Sequence, residues 1–293
     1  MGDYIDVWRT LFTNDFDSNK YLYHYTSIET AIKIVCSDRL LFSPISKTND
    51  TSEAKMKIFI PVPSGMSDVS YTQKATKIKA YFSNYQPYVR ILCFSMDSKM
   101  SKADLNRSFQ NMAEKAKYYD VLGRGFALPR MWAQYAKDNS GVCFVIDKDK
   151  LLGSVRRQIA FFKSAPVSYK KFFDRYTITA EHMEELTEKI EMIGNGGLTM
   201  FGMLQKDKEF LEYNFLEKLE DWKSEHEYRI VALTDKSDST IFVKKLSSFL
   251  CGVVLGEKID KDYECIIKML LQENNIGCDV KKIVFGSDCC RLI

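Results

Sequence analysis

The stretch Asp221-Trp-Lys-Ser-Glu-His-Glu-Tyr-Arg-Ile-Val231 joins a charged amphipathic segment to an apolar one, and the rest of the chain is organised around that junction. Ahead of it, Lys206 to Trp222 carries Leu211, Phe215, Leu219 and Trp222 on one stripe, which predicts a long helix. Behind it, Tyr228 to Leu233 predicts a strand. If the backbone is already extended at the junction, alternate side chains share a face: Glu225, Glu227 and Arg229 point one way, His226, Tyr228 and Ile230 the other. A rise of about 3.3 Å per residue then sets Glu225 and Glu227 roughly 6 to 7 Å apart. Two carboxylates so placed repel, which raises one pKa and separates acid from base duties. The competing reading is a solvated strand edge on which Glu227 pairs with Arg229.

Working outward, Tyr21-Leu-Tyr-His-Tyr-Thr26 reads as a short aromatic strand. Thr26 or Ser27 caps the helix that follows, whose stripe is Ile28, Ala31, Ile32 and Val35, and Arg39-Leu-Leu-Phe-Ser43 is the next strand. His24 therefore stands at a strand end facing a helix start, where a side chain and free backbone N–H groups can meet a ligand. A lone histidine is more often a hydrogen-bonded structural group, and both roles stay open. Pro44 to Glu53 is a polar loop, Lys55 to Tyr88 alternates short helical and polar pieces, and Val89 to Ser95 is a buried strand. Ser101 to Tyr119 is helical, and Gly123-Arg-Gly125 is a turn that lacks the continuation of a phosphate loop.

Pro129 opens a helix at its first position, with Arg130 to Lys137 filling two turns before the strand Val142 to Ile146. Trp132 and Tyr135 lie three apart on it and share a face, as core or as a platform for a flat heteroaromatic ring. Further on come a strand candidate at Pro166 to Tyr169, a polar helix from Thr179 to Ile193, a loop at Gly194 to Gly197 and a strand from Thr240 to Lys244. The tail reads strand (Cys251 to Leu255), helix (Lys261 to Leu271), strand (Val280 to Phe285). Strands and helices mix without strict alternation, so the class is α+β, with residues 1–293 as a single domain and 250–293 as its strand-helix-strand portion.

Composition bounds the function. A 45% hydrophobic, 28% charged chain of 293 residues can bury a sizeable core. With a net charge of +3 and basic pairs scattered among acidic neighbours, nucleic-acid binding is permitted but not indicated. No basic, then apolar leader opens the sequence and no segment approaches 18 apolar residues, which predicts a cytoplasmic protein with no membrane partner. The eight cysteines form no C-x-x-C pair and no zinc-ligand spacing, so reduced, mostly buried thiols and no metal are expected; adjacent Cys289 and Cys290 mark a strand end or a redox pair.

Several of these pieces, taken in order, resemble a bacterial family known as domain of unknown function 2971, encountered among abortive-infection and phage-defence genes. They are His24-Tyr25-Thr26, Asn49-Asp50 with Glu53, Cys93-Phe-Ser95, Met131-Trp-Ala-Gln-Tyr135 leading to Gly141-Val-Cys-Phe, Val167-Ser-Tyr169, Trp222-x-x-Glu-x-Glu-Tyr-Arg229 and Val254-Leu-Gly256. Thr51 stands where that family usually has proline. The family in turn is remotely similar to the ADP-ribosyltransferases, whose split mixed β-sheet, surrounded by helices, carries a histidine or arginine on its first strand, a serine or aromatic on the second and a catalytic glutamate on a later one. His24, Ser95 and Glu225-x-Glu227 match those positions, and Tyr135 matches a ring-stacking tyrosine.

The resemblance implies an NAD-dependent ADP-ribosyltransferase, a toxin or effector of anti-phage defence whose partners are NAD, a macromolecular target (protein or nucleic acid) and a regulatory protein. Glu227, Glu225 and His24 would be catalytic; His24, Tyr25, Thr26, Ser43, Asn49, Ser95, Trp132, Tyr135 and Arg229 would hold NAD. Cleaving the nicotinamide–ribose bond makes an oxocarbenium-like centre that a carboxylate, Glu227, stabilises, while Glu225 takes the nucleophile's proton. His24 would hold the adenosine-side ribose, and Tyr135 or Trp132 would cover the nicotinamide. On this reading His24 and Glu227 open onto one pocket, with Ser95 on a strand between or beside them, Glu225 at the mouth and the Glu227 pKa raised. Side chains on opposite faces of the sheet would sink the NAD reading and leave a second one, a non-catalytic module that senses a nucleotide or phage protein, as the better account. A metal-independent nuclease is a third, disfavoured by the dispersed basic residues.

Overall fold

Strand β1 (Tyr21–Thr26) forms where aromatic residues alternate across a pleat, and all six of its residues pair antiparallel with β6 (Val142–Asp147). Ser27 then caps α1 (Ile28–Ser37) by accepting from the Thr30 amide at 3.3 Å, and Asp38 ends that helix in a left-handed conformation. The computed structural model describes residues 20–50, 52, 53, 55, 57–61, 69–83, 85–98, 121, 123–172, 175–194, 208–286 and 290–293. The expected helix at Ser101 to Tyr119, the loop after Gly194 and Cys289 lie outside them.

The remaining strands, in chain order, are β2 (Arg39–Leu41), β3 (Ser43–Pro44), β4 (Ile58–Phe59), β5 (Val89–Ser95), β7 (Phe162–Pro166), β8 (Ser168–Lys170), β9 (Tyr176–Thr177), β10 (Glu217–Leu219), β11 (Glu227–Leu233), β12 (Phe242–Lys244), β13 (Leu250–Leu255), β14 (Asp279–Phe285) and β15 (Cys290–Leu292). The helices are α2 (Val69–Ser83), α3 (Pro129–Tyr135), α4 (Lys148–Gln158), α5 (Ala180–Gly194), α6 (Lys208–Phe215) and α7 (Lys261–Glu273). Nine strands make one mixed sheet in the order β15-β14-β13-β6-β1-β5-β11-β7, with β3 added to the edge of β5. Only β13 and β14 run parallel there, joined by the crossover helix α7, so residues 250–293 extend the same sheet. The class is α+β.

Alternation along the strands sends side chains into different cores. On one face Leu22, Leu92, Phe94, Phe144 and Ile230 pack under α1, α4 and α7. On the other, Ile91, Val231 and Leu233 meet α2, α5 and α6, whereas Tyr23, Tyr25, Cys143 and Val254 meet α3. That second face is thus covered by two separate apolar clusters. Among the described residues no helix is long and apolar enough to cross a membrane.

Three sequence expectations change. The helix expected to run from Lys206 to Trp222 stops at Phe215, because Leu216 to Leu219 become extended and pair in parallel with β8; the Leu216 carbonyl accepts from the Ser168 amide at 2.8 Å. Phe210, Leu211 and Phe215 are core, but Leu219 and Trp222 are half-exposed and the turn Glu220–Glu225 is 3-10 helical. The strand expected at Pro166 to Tyr169 is two strands that separate at Val167, one pairing with β11 and the other with β10. The region Lys55 to Tyr88, read as short pieces, contains the 15-residue helix α2.

Candidate active site

Strands β1 and β5 pair at one position, Tyr23 opposite Ser95, and then diverge. The same edge of β5 is taken up again by β3, where Ser43 lies opposite Ile91. Between those points the edge of β5 is open, and the His24 ring fills part of the gap by bonding Nδ1 to the Cys93 carbonyl at 3.0 Å. A carbonyl only accepts, so Nδ1 carries the proton. Burial lowers the His24 pKa below its ordinary value against that bond, which leaves a neutral ring with Nε2 as acceptor.

The split between β1 and β5 opens into a cavity of about 460 Å³, within the range of small-molecule sites. His24, Tyr25, Thr26, Ser43, Asn49, Ser95, Tyr135, Glu225, Glu227 and Arg229 all line it. Ser95 is the central link: β5 lies between β1 and β11, and Ser95 is the register partner of both Tyr23 and Glu227. Ser43 and Asn49 sit at the exposed rim. Tyr25 donates its hydroxyl to the Gly125 carbonyl at 2.6 Å. Gly125 has no room for a side chain, since a Cβ there would sit 2.2 Å from the Tyr23 ring.

Trp132 does not line the cavity. It is fully buried, its indole N–H donates to the Phe126 carbonyl at 2.7 Å, and its ring meets Tyr25 edge-on at 5.2 Å. The core role wins because a three-residue offset on α3 sends Trp132 down into the aromatic cluster and leaves Tyr135 at its margin. Tyr135 is itself engaged, donating to Glu225 Oε1 at 2.8 Å.

The junction differs from the extended chain expected. Glu225 ends the 3-10 turn, His226 takes a left-handed conformation (φ 46°, ψ 49°), and the strand starts at Glu227. The two carboxylates are consequently not alternate strand residues; the reversal at His226 folds both onto one ammonium. Lys218 Nζ lies 2.8 Å from Glu225 Oε2 and 2.8 Å from Glu227 Oε2. Arg229 grips Glu227 through Nε to Oε1 at 2.8 Å and Nη2 to Oε2 at 2.9 Å, and its Nη1 donates to the Phe215 carbonyl at 2.8 Å. Arg229 Nη2 also holds Glu53 Oε1 at 2.7 Å.

These charges fill the seam between the two apolar clusters on that face of the sheet, and Glu53, Lys218, Glu225, Glu227 and Arg229 are all buried. The expected rise in the Glu227 pKa is reversed. Burial pushes it up, but Arg229 and then Lys218 outweigh burial and hold it down at about 2. Lys218 is pushed the other way: burial lowers it, and the surrounding glutamates raise it above the ordinary lysine value. The repulsion between Glu225 and Glu227 is neutralised by the cation between them.

Strand alternation separates His24 from Glu227. His24 shares its face with Phe94 and Phe144, its ring 5.6 Å from that of Phe94, whereas Glu227 shares the other face with Ser95 and Arg229. What lies between them is the cavity, which runs through the split in the sheet and is lined by both. Sequence reasoning missed Lys218, hidden in a stretch read as helix, and gave no role to Glu53, Cys93 or Tyr169. The Tyr169 hydroxyl accepts from the Glu227 amide at 2.8 Å, and burial raises the Cys93 thiol well above its ordinary pKa. Among the described residues no group of histidines, cysteines and carboxylates has the geometry to hold a metal ion.

Residues 131–230 match the family described as protein of unknown function (DUF2971). The match covers most of α3, all of β6 and the strands and 3-10 turn that bring Lys218, Glu225, Glu227 and Arg229 to the cavity. No curated protein and no solved structure matches the chain.

Proposed function

We propose, starting from the match of residues 131–230 to the DUF2971 family, that this chain is an NAD-dependent ADP-ribosyltransferase acting on a macromolecule in bacterial defence against phage. The observation that carries the reading is the split itself: three strands in the order β1-β5-β11 bring His24, Ser95 and Glu227 to one cavity although they come from distant parts of the chain. An ionised Glu227 suits the reaction. When the nicotinamide–ribose bond breaks, its electron pair leaves with nicotinamide and positive charge develops on the sugar, which a fixed, water-excluded carboxylate stabilises. The target's nucleophile then bonds to C1′, and its proton passes to Glu225, which shares the Lys218 ammonium with Glu227. The half-buried ring of Tyr135 is available to stack on nicotinamide; Trp132 is not. The test is NAD loss and transfer of label from NAD in a lysate. Wild type should do both, and a folded Glu227→Gln variant should fall about 100-fold or more; equal signals from the two, or none from wild type, count against the reading.

Two observations favour a non-catalytic module that holds a nucleotide. Both oxygens of Glu227 are already engaged by Arg229 and Lys218, and alternation sets His24 and Glu227 on opposite faces, the arrangement stated above as the one that counts against NAD chemistry; what supports that chemistry regardless is the single cavity through the split that both residues line. Stabilisation by NAD in a thermal-shift assay without turnover would select that alternative.

A further inference from the structure

The cavity wall holds one carboxylate that the proposed chemistry does not use. Glu53, at the end of the loop that follows β3, is buried and lines the cavity. Its Oε1 is held by Arg229 at 2.7 Å and faces Lys218 Nζ at 3.8 Å. Its Oε2 is enclosed as completely, yet has no hydrogen-bond partner among the described residues. The same is true of the Ser95 hydroxyl, whose residue is fully buried and lines the same cavity. A buried polar atom without a partner forfeits its hydration with nothing in exchange, so two in one cavity call for partners from outside the chain. A carboxylate oxygen only accepts, whereas a hydroxyl donates and accepts; their complement is a pair of adjacent donors of which one also accepts, as vicinal hydroxyls are.

We propose that Glu53 and Ser95 together bind the diol of a sugar, with Glu53 Oε2 accepting from one hydroxyl and Ser95 Oγ bonded to its neighbour. Arg229 fixes where that sugar lies: it joins Glu53 to Glu227, so the diol belongs to the ribose beside Glu227. The inference rests on the transferase reading of the cavity and adds to it a specificity residue outside the glutamate pair. It makes the site selective for a ribose over a deoxyribose, and for a neutral polyol over a phosphate, which would meet three carboxylates against two cations at this end of the cavity.

The experiment is calorimetric titration of the full chain with NAD and with NAD analogues lacking one hydroxyl of the nicotinamide ribose. Glu53→Gln should weaken NAD binding about ten- to a hundred-fold, the size of a hydrogen bond to a charged group. One analogue should bind wild type more weakly by a similar factor, and that analogue should be insensitive to Glu53→Gln, so that the two losses do not add. Ser95→Ala, which removes no charge, should weaken NAD binding by a smaller factor. Unchanged NAD affinity in Glu53→Gln overturns the inference; if Glu227→Gln still abolishes transfer, the transferase reading survives it. Should Glu53→Gln fail to fold, the analogues decide on wild type alone, and equal binding of all of them with NAD overturns the inference. Failure of NAD to bind wild type overturns both.

Discussion

Arg229 and Glu227 are two residues apart on one strand and joined by two parallel hydrogen bonds inside the protein, where each is at most 4% exposed. A strand places residues i and i+2 on the same face at a spacing a guanidinium can span, so the pair needs no turn to form. The solvated strand edge suggested by the sequence has the right partners in the wrong medium. Removing one partner leaves the other buried and uncompensated. Arg229→Met should therefore destabilise by about 3–5 kcal/mol in urea denaturation at neutral pH, and Arg229→Lys by a substantial share of that, because an ammonium cannot present the fork.

Acid should act on the same pair. The folded pKa of Glu227 lies below its ordinary value of 4.5, at about 2, so the unfolded chain binds a proton that the folded one refuses. The stabilisation is fully present above pH 4.5 and is lost as pH falls from there through about 2. Denaturation followed across that window should show wild type losing stability more steeply than Glu227→Gln; equal slopes would count against an ionised, paired Glu227.

His24 should titrate below its ordinary midpoint of 6.5, because burial disfavours the imidazolium. Nitrogen-15 spectra should show a neutral ring protonated on Nδ1 at pH 7. His24→Ala removes the donor to the Cys93 carbonyl and should cost about 1–3 kcal/mol if water does not replace it.

The two α3 aromatics should separate cleanly. Trp132→Ala empties a fully buried site and should cost about 3–5 kcal/mol of stability. At a temperature where that variant remains folded, NAD affinity should be unchanged. Tyr135→Phe loses the bond to Glu225 and should cost only about 1 kcal/mol of stability, while changing NAD binding or turnover. The reverse pattern would put the ligand on the wrong side of α3.

Local patterns in the sequence carried much of the fold. Aromatic β1, capped α1, the apolar run of β5 and the strand-helix-strand tail were legible because each is fixed by its own periodicity and punctuation. The helix stripe through Leu219 and Trp222 misled, since the pairing of β10 with β8 overrides a period that the residues keep. Lys218 was invisible for that reason: nothing local says that an ammonium in a supposed helix will stand between two glutamates. The pKa of Glu227 failed for the same cause, its sign being set by cations whose positions only the tertiary structure gives. Most of the residues expected at the site do line one cavity, but that grouping came from resemblance, because strand order is not written in the strands.

The bond between Arg229 and Glu53 spans 176 residues of sequence, and Lys218 joins from a strand formed between its ends. A chain emerging from the ribosome has β1 and β5 available long before it has β10 or β11. Until roughly residue 230 is free of the exit tunnel, the cavity lacks the wall that carries its charge. Synthesis itself therefore sets a delay between the first paired strands and the completed cavity, and a chain cut short before β11 lacks the Arg229 that joins Glu53 to Glu227.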